Sequence, residues 1–166
     1  MIVYKEKKLL SKKQVCDLFK QDPFFVQEVQ LSYQPVSSGP IITGSLQSFQ
    51  VLKNLYDPNT IQLNEKFYAL FLNRRNRVII SKEISNGGTC GTVVDLKIIF
   101  AIALKCLAQS IIISHNHPSG GTKPSDEDNR ITERIKSAGL IMDVELLDHL
   151  IICKDGYYSY ADEGRI

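Results

Sequence analysis

The chain has 166 residues, a formal net charge of +2, and 43% hydrophobic and 23% charged residues. This length predicts one domain with a full hydrophobic core, and the composition is that of an ordinary soluble globular protein. A charge so close to neutral neither demands nor excludes nucleic acid, although a dedicated nucleic-acid surface is usually more basic.

Membrane and export signals are absent from the sequence. The segment Met1–Leu10 is charged and lacks an apolar core, and the best apolar run, Ile98–Ala108, is interrupted by Lys105. The four cysteines are scattered and form no Cys-x-x-Cys pair, which argues against a zinc ribbon or a cysteine-ligated zinc deaminase. We therefore expect a cytoplasmic protein with reduced thiols and no membrane partner.

Residues 1–40 have the pattern of an N-terminal extension. Ser11–Lys20 is predicted to form a short helix, and alternating apolar residues in 29–33 predict a strand. The basic residues of Lys5–Lys13 are typical of a solvated face. A Pro-, Ser- and Gly-rich loop ends the extension, so the predicted main domain covers residues 41–166.

The first half of this domain has two predicted helices and two predicted strands. Ser45 is placed to cap a helix that runs to about Leu55, and Asp95–Gln109 predicts a helix that is apolar around much of its surface. Between them, the nearly continuous apolar run Glu65–Leu72 predicts a strand buried on both faces, and Arg77–Ile80 predicts a return strand.

The second half of the domain has three predicted strands and one predicted helix. A strand that begins at Ile111 precedes a helix over Asp126–Ala138, for which Gly139 is the predicted stop. Val144–Ile152 and Tyr157–Tyr160 predict two further strands. Strands alternating with helices predict an α/β fold with a mixed β-sheet flanked by helices.

The residues with the clearest chemistry lie where the Ile111 strand ends. His115 and His117 are spaced i, i+2, so they face the same side of a strand, which Pro118 stops. Ser125 is placed to cap the next helix, and Asp128 falls in its first turn. Two imidazoles and a carboxylate are a three-ligand zinc site with a fourth position left for water.

This spacing resembles the JAMM signature of the JAB1/MPN metalloprotease superfamily. His115-Asn116-His117-Pro118, followed by Ser125-Asp126-Glu127-Asp128, matches its His-x-His-Pro and Ser-x-x-Asp segments. The fuller string His-Asn-His-Pro-Ser-Gly, with Leu146–His149 downstream, is similar to the RadC branch. Over roughly residues 40 to 160, the resemblance implies an MPN/JAB-like (cytidine-deaminase-like) domain. The helix-hairpin-helix region that often precedes it in RadC proteins is not evident.

The resemblance also implies a mechanism. In JAMM proteins a Glu at the start of an upstream strand accepts the proton of the metal-activated water, and Glu65 is the best match. Glu83, before a Gly-rich turn, is the competing candidate. The JAMM serine supports the oxyanion, so Ser125 is expected to combine this role with helix capping. His115, His117 and Asp128 are the expected ligands of Zn²⁺.

Residues near the predicted metal site have other predicted roles. Asp148 and His149 alternate on a strand, so one of them faces the site, with a supporting rather than ligating role. Asn116 should point away from the metal and have no catalytic part. Arg130 and Arg134 either meet a substrate carboxylate or form a solvated helix face.

The predicted function is that of a zinc-dependent hydrolase that cleaves a peptide or isopeptide amide bond in a peptide or protein substrate. The alternatives are a DNA-associated accessory protein of the RadC type and a non-catalytic interaction module. The accessory role would require a contiguous basic surface, whose candidate residues are Lys5, Lys7, Lys8, Lys12, Lys13, Arg74, Arg75 and Arg77. The sequence leaves the oligomeric state open.

Overall fold

The structure, a computed structural model, describes residues 39–88 and 93–166, together with Lys13. The predicted N-terminal strand, and all but Lys13 of the predicted N-terminal helix, lie outside these residues. The division into an extension of residues 1–40 and a domain of residues 41–166 therefore stays a prediction.

Helices and strands alternate along the described residues. In chain order they are α1 (Ser45–Lys53), β1 (Lys66–Leu72), β2 (Val78–Asn86), α2 (Leu96–Lys105), β3 (Ser110–Asn116), α3 (Asp126–Ile141), β4 (Glu145–Ile152) and β5 (Tyr157–Ser159). The sheet order is β2-β1-β3-β4-β5. Only β3 and β4 are parallel, and α3 forms the crossover between them. The predicted α/β fold with a mixed sheet is confirmed.

Apolar side chains cover both faces of the sheet, because alternate residues of a strand point to opposite sides. On one face a cluster joins β1 and β3 to α2 and α3, and includes Phe67, Ile99, Ile113 and Ile135. On the other face a second cluster packs around Leu52 of α1. All residues of β1 after Lys66 are buried, as predicted for a strand covered on both faces.

The ends of the helices differ from the sequence predictions. Gly44, not Ser45, is the N-cap of α1, and the Ser45 hydroxyl lies 3.1 Å from the Tyr157 hydroxyl instead. Helix α3 runs past Gly139 to Ile141, and Asp143 then takes a left-handed backbone with φ 53°. Gly139 serves close packing: a Cβ there would lie 2.3 Å from the carbonyl oxygen of Val144.

Within the described residues, the helices are too short or too polar to cross a membrane. The longest of them, α3, has 16 residues and carries three acidic side chains in its first turn.

Candidate metal centre

Strand β3 and the turn after it supply two histidines. His115 is 1% exposed on the face shared with Phe67, its partner across the sheet. His117 follows the strand end, and its backbone N–H donates to the carbonyl oxygen of Ile152. Gly120, with φ 81°, turns the chain and donates its N–H to the His117 carbonyl oxygen. This tight turn sends the chain back toward α3.

The first turn of α3 supplies the carboxylate. The Ser125 hydroxyl oxygen accepts a hydrogen bond from the Asp128 N–H, and the Asp128 carboxylate accepts one from the Ser125 N–H at 2.7 Å. This reciprocal capping box confirms the predicted cap. The Ser125 hydroxyl also donates to Asp128 Oδ2 at 2.7 Å, so Ser125 orients the carboxylate, a contact that the sequence analysis did not foresee.

Three donor atoms converge where β3 gives way to α3. His115 Nε2 lies 2.9 Å from His117 Nε2 and 3.0 Å from Asp128 Oδ1, and His117 Nε2 lies 3.4 Å from Asp128 Oδ2. One ligand atom from each residue lies within 4.8 Å of the other two. The structure thus brings together all three residues that the sequence analysis assigned to the metal.

Hydrogen bonds on the far side of each imidazole decide which ring nitrogen carries the proton. His117 Nδ1 lies 2.8 Å from the carbonyl oxygen of Gly121, which can only accept, so Nδ1 carries a proton and Nε2 is the ring nitrogen that faces the triad. For His115 the partner is His149, whose Nε2 lies 2.9 Å from His115 Nδ1.

His149 is itself fixed by a threonine. The Thr132 hydroxyl donates to the Asp128 carbonyl oxygen at 2.6 Å, so it must accept from His149 Nδ1, also 2.6 Å away. Burial, reinforced by His115, lowers the pKa of His149 well below its usual value, so the ring is neutral. Its Nε2 therefore accepts from His115 Nδ1, and His115 Nε2 is the ring nitrogen that faces Asp128.

The three inward-facing groups are close enough to share a proton or a metal ion. Two ring nitrogens and a carboxylate at about 3 Å would repel one another through their lone pairs unless a proton or a metal ion lay among them. Burial alone would raise the pKa of Asp128, but hydrogen bonds with His115, His117 and Ser125 outweigh it and hold that pKa well below its usual range. The hydrogen bond to Asp128 raises the pKa of His117.

The donor set fits a divalent metal ion. Tetrahedral zinc has bonds of 2.0–2.1 Å to nitrogen and oxygen, which places neighbouring ligand atoms about 3.3 Å apart. The separations of 2.9 Å between the two Nε2 atoms and 3.0 Å between His115 Nε2 and Asp128 Oδ1 are close to this value, and His117 Nε2 lies 3.4 Å from the other carboxylate oxygen, Oδ2. The second nitrogen of each imidazole is hydrogen-bonded, as is usual for metal-ligating histidines. His115, His117 and Asp128 could therefore hold a metal ion.

A cleft of about 600 Å³ opens over this triad. Glu65 and Ser125 line it beside the three donors. Glu83 instead lies on the opposite face of the sheet, because it pairs with Tyr68 and accepts a hydrogen bond from the Tyr68 hydroxyl at 2.7 Å. Of the two glutamates that the sequence offered as general base, only Glu65 is near the triad.

Asn116 holds the segment that carries Glu65. Its side chain is fully buried on the face away from the triad, where it donates to the carbonyl oxygens of Ile61 and Asn64. Its amide oxygen accepts from the Lys66 N–H at 2.8 Å. Asn116 therefore points away from the metal, as predicted, yet it fixes the backbone on both sides of Glu65, which sequence reasoning missed.

The remaining predicted neighbours have separate places. Asp148 faces away from the triad and binds Ser159, the Ala161 N–H and the His149 N–H. Arg130 forms an exposed ion pair with Glu127 at 3.1 Å.

A mixed sheet that presents a His-x-His pair to an Asp in the following helix defines a JAB-type domain. The family described as "RadC-like JAB domain" matches residues 42–165, so the chain belongs to that family.

Three similar proteins each carry the name UPF0758 protein. The one from Flavobacterium johnsoniae is 44% identical over 123 residues, which cover 74% of this chain and 52% of that protein. The Porphyromonas gingivalis relative is 42% identical over 103 residues, covering 61% of this chain and 45% of that protein. The Streptococcus gordonii relative is 40% identical over 118 residues, covering 71% and 52%. The chain spans about half the length of these curated relatives.

Proposed function

We propose that the protein is a zinc-dependent hydrolase of the JAMM type that cleaves a peptide or isopeptide amide bond. The observation that carries the proposal is the convergence of His115, His117 and Asp128 donor atoms in a cleft that Glu65 also lines. A metal site for structure alone would be closed by a fourth protein ligand, whereas this one opens to a cleft.

Glu65 is the proposed general base. Bound zinc lowers the pKa of a water ligand to about 7 and polarises a carbonyl group. The Glu65 carboxylate would accept the proton of the attacking water and then release it to the leaving amine nitrogen. Its backbone is held for this task, because its N–H and carbonyl bind Gly88 and Gly87, and Asn116 fixes the next residue.

Ser125 is the proposed donor to the developing oxyanion. Its hydroxyl lines the cleft but donates to Asp128 Oδ2. Rotation about its Cβ–Oγ bond would redirect that proton toward a substrate oxygen while Oγ keeps its place in the capping box. Asp128 would keep its bond from the Ser125 N–H during this rotation, so the carboxylate would stay oriented.

The other roles raised by the sequence have weaker support. A scaffold that had lost its metal would have no reason to keep three converging donors. The basic surface needed by a DNA-associated accessory protein would include Arg77, whose guanidinium already donates to the Gly39 carbonyl oxygen at 2.7 Å. A cytoplasmic location and a peptide or protein partner stay predictions.

Three variants test the proposal. Elemental analysis of purified wild-type protein is expected to give one zinc per chain, and His115→Ala is expected to lose it. With a mixed peptide library as substrate, Glu65→Gln is expected to retain zinc and lower turnover by about 10²–10⁴-fold. Glu83→Gln is the matched control, since it makes the same chemical change on the opposite face. Full activity of Glu65→Gln beside an inactive Glu83→Gln would overturn the assignment of the base.

A further inference from the structure

The cleft runs from the metal centre along one face of α3. Asp128, Ile131 and Arg134 are spaced three residues apart on this helix, and all three line the cleft. At 1.5 Å per residue, Arg134 lies about 9 Å along the helix axis from Asp128. A substrate held at the triad could therefore extend along α3 toward Arg134.

The cleft also has apolar lining residues. They are Phe67, Val93, Val94 and Ile131, and Ile131 lies between Asp128 and Arg134 on α3. Val93 is 88% exposed, so most of its surface is free to contact a ligand. Burying an apolar side chain of the substrate against these residues would contribute to binding through the hydrophobic effect.

Arg134 is the one arginine or lysine among the described residues that line the cleft. Arg130, one turn earlier on α3, forms an ion pair with Glu127, which is the exposed carboxylate among the described residues that line the cleft. Within the described part of the chain, Arg134 takes part in no ion pair or side-chain hydrogen bond. Its planar guanidinium remains available for a carboxylate, which it can bind through two parallel hydrogen bonds.

We propose that the substrate carries a carboxylate one or two residues from the scissile amide, with an apolar side chain between them. An extended peptide advances about 3.5 Å per residue. One or two residues, together with the reach of the arginine side chain, span the distance from the triad to Arg134. Arg134 is thus a specificity-determining residue, and this inference rests on the proposed hydrolase function.

Two matched probes test the inference by binding. In 3-mercaptopropanoyl-leucine a thiol can bind zinc, the leucine side chain is apolar, and the end is a free carboxylate. The second probe, 3-mercaptopropanoyl-leucinamide, differs only by an amide in place of that carboxylate. Isothermal titration calorimetry on the zinc-loaded full chain would give both Kd values.

For wild-type protein we expect the carboxylate probe to bind about 10- to 100-fold more tightly than the amide, as a charge-assisted hydrogen bond implies. Arg134→Gln is expected to abolish this preference without weakening the amide probe, and Arg134→Lys to restore part of it. Arg130→Gln is the matched control on the same helix and is expected to keep the wild-type preference.

Equal affinity of the two probes for wild-type protein, or an unchanged preference in Arg134→Gln, would overturn the inference. So would binding of neither probe to protein that has retained its zinc. Because binding does not require turnover, the outcomes separate the two proposals. An Arg134-dependent preference in a protein that hydrolyses no peptide would count against the hydrolase alone, and hydrolysis without that preference would count against the anion subsite alone.

Discussion

Asn116 lies between the two candidate ligand histidines, and its side chain enters the opposite side of the sheet. There its amide satisfies two backbone carbonyls and one backbone N–H in the segment around Glu65. Strand β3 therefore supplies the candidate donor His115 on one face. On the other face it supplies Asn116, which fixes the backbone around the proposed base. Asn116 therefore helps to set the position of Glu65 relative to the triad, together with the backbone hydrogen bonds of Glu65 to Gly87 and Gly88.

We expect Asn116→Leu to lower the free energy of unfolding by about 2–4 kcal/mol, since each buried polar group left unpaired costs about 1–3 kcal/mol and relaxation recovers part of that. Zinc content should not change, because the amide contacts none of the ligands. Urea unfolding and elemental analysis would measure the two effects. Asn54→Leu is the control: this exposed amide has one bond, to the Gln50 carbonyl oxygen, and its loss should cost under about 0.5 kcal/mol. Loss of zinc in Asn116→Leu would contradict the claim that Asn116 fixes only the backbone around Glu65 and not the metal ligands.

The triad could be predicted from sequence because its spacing is local. His115, His117 and Asp128 lie within one strand, one turn and one helix start, where residue type alone sets the geometry. The contacts of Asn116 with Ile61 and Asn64 cross more than 50 residues of sequence and end on backbone atoms. Backbone partners of this kind impose no residue type, so they leave no pattern to recognise.

At the scale of elements, hydrophobic periodicity predicted the helices and strands and some of their ends, such as that of β1 at Leu72 and that of β4 at Ile152, but not all of them. Helix α3 was expected to stop at Gly139 and instead continues to Ile141, because that glycine admits the Val144 carbonyl rather than ending the helix. Strand β2 was expected over Arg77–Ile80 and extends to Asn86 through pairing with β1. Element ends are set by tertiary contacts that one sequence window does not contain.

Asp148 connects strands β4 and β5. It lies on β4, and its carboxylate accepts hydrogen bonds from the Ser159 hydroxyl of β5 and from the Ala161 N–H in the turn that follows. Burial raises the pKa of this carboxyl despite its three hydrogen bonds. A raised folded-state pKa means that the folded protein binds the proton more tightly than the unfolded chain. The stabilisation is therefore complete below the unfolded value of about 3.9 and is lost as pH rises through the folded value.

Asp148→Asn removes this titration while keeping the shape. Its oxygen can accept from the His149 and Ala161 N–H groups, and its NH₂ can donate to the Ser159 hydroxyl. We expect the stability of the variant relative to wild type to increase between pH 4 and pH 7, by about 1.4 kcal/mol for each unit of pKa shift. Urea unfolding of both proteins at several pH values measures it. If the free energies of unfolding of the two proteins changed with pH in the same way, the pKa of Asp148 would be the same in the folded and unfolded states, which would contradict the prediction.

For the whole molecule, the polar network around the triad replaces apolar packing at one end of the sheet. His115, Thr132 and His149 are each 1% exposed or less, and they connect β3, α3 and β4 through a continuous chain of hydrogen bonds. A metal ion at the triad would tie β3 to α3 directly. The three donors are adjacent only when the β3–α3 connection is folded, so an ion that needs all three binds the folded state in preference to the unfolded chain.

Zinc should therefore raise the thermal midpoint of the metal-free protein. Free zinc at one hundred times Kd adds about 2.7 kcal/mol to the stability of a one-site protein, which corresponds to about 10 °C for a domain of this size. We expect Asp128→Asn, which keeps the shape of the capping side chain but loses its charge, to lose most of the shift, and Glu65→Gln to keep it. Differential scanning calorimetry with and without a chelator is the measurement. A full shift in Asp128→Asn would place the stabilising ion elsewhere, because the carboxylate is the only anionic donor of the triad.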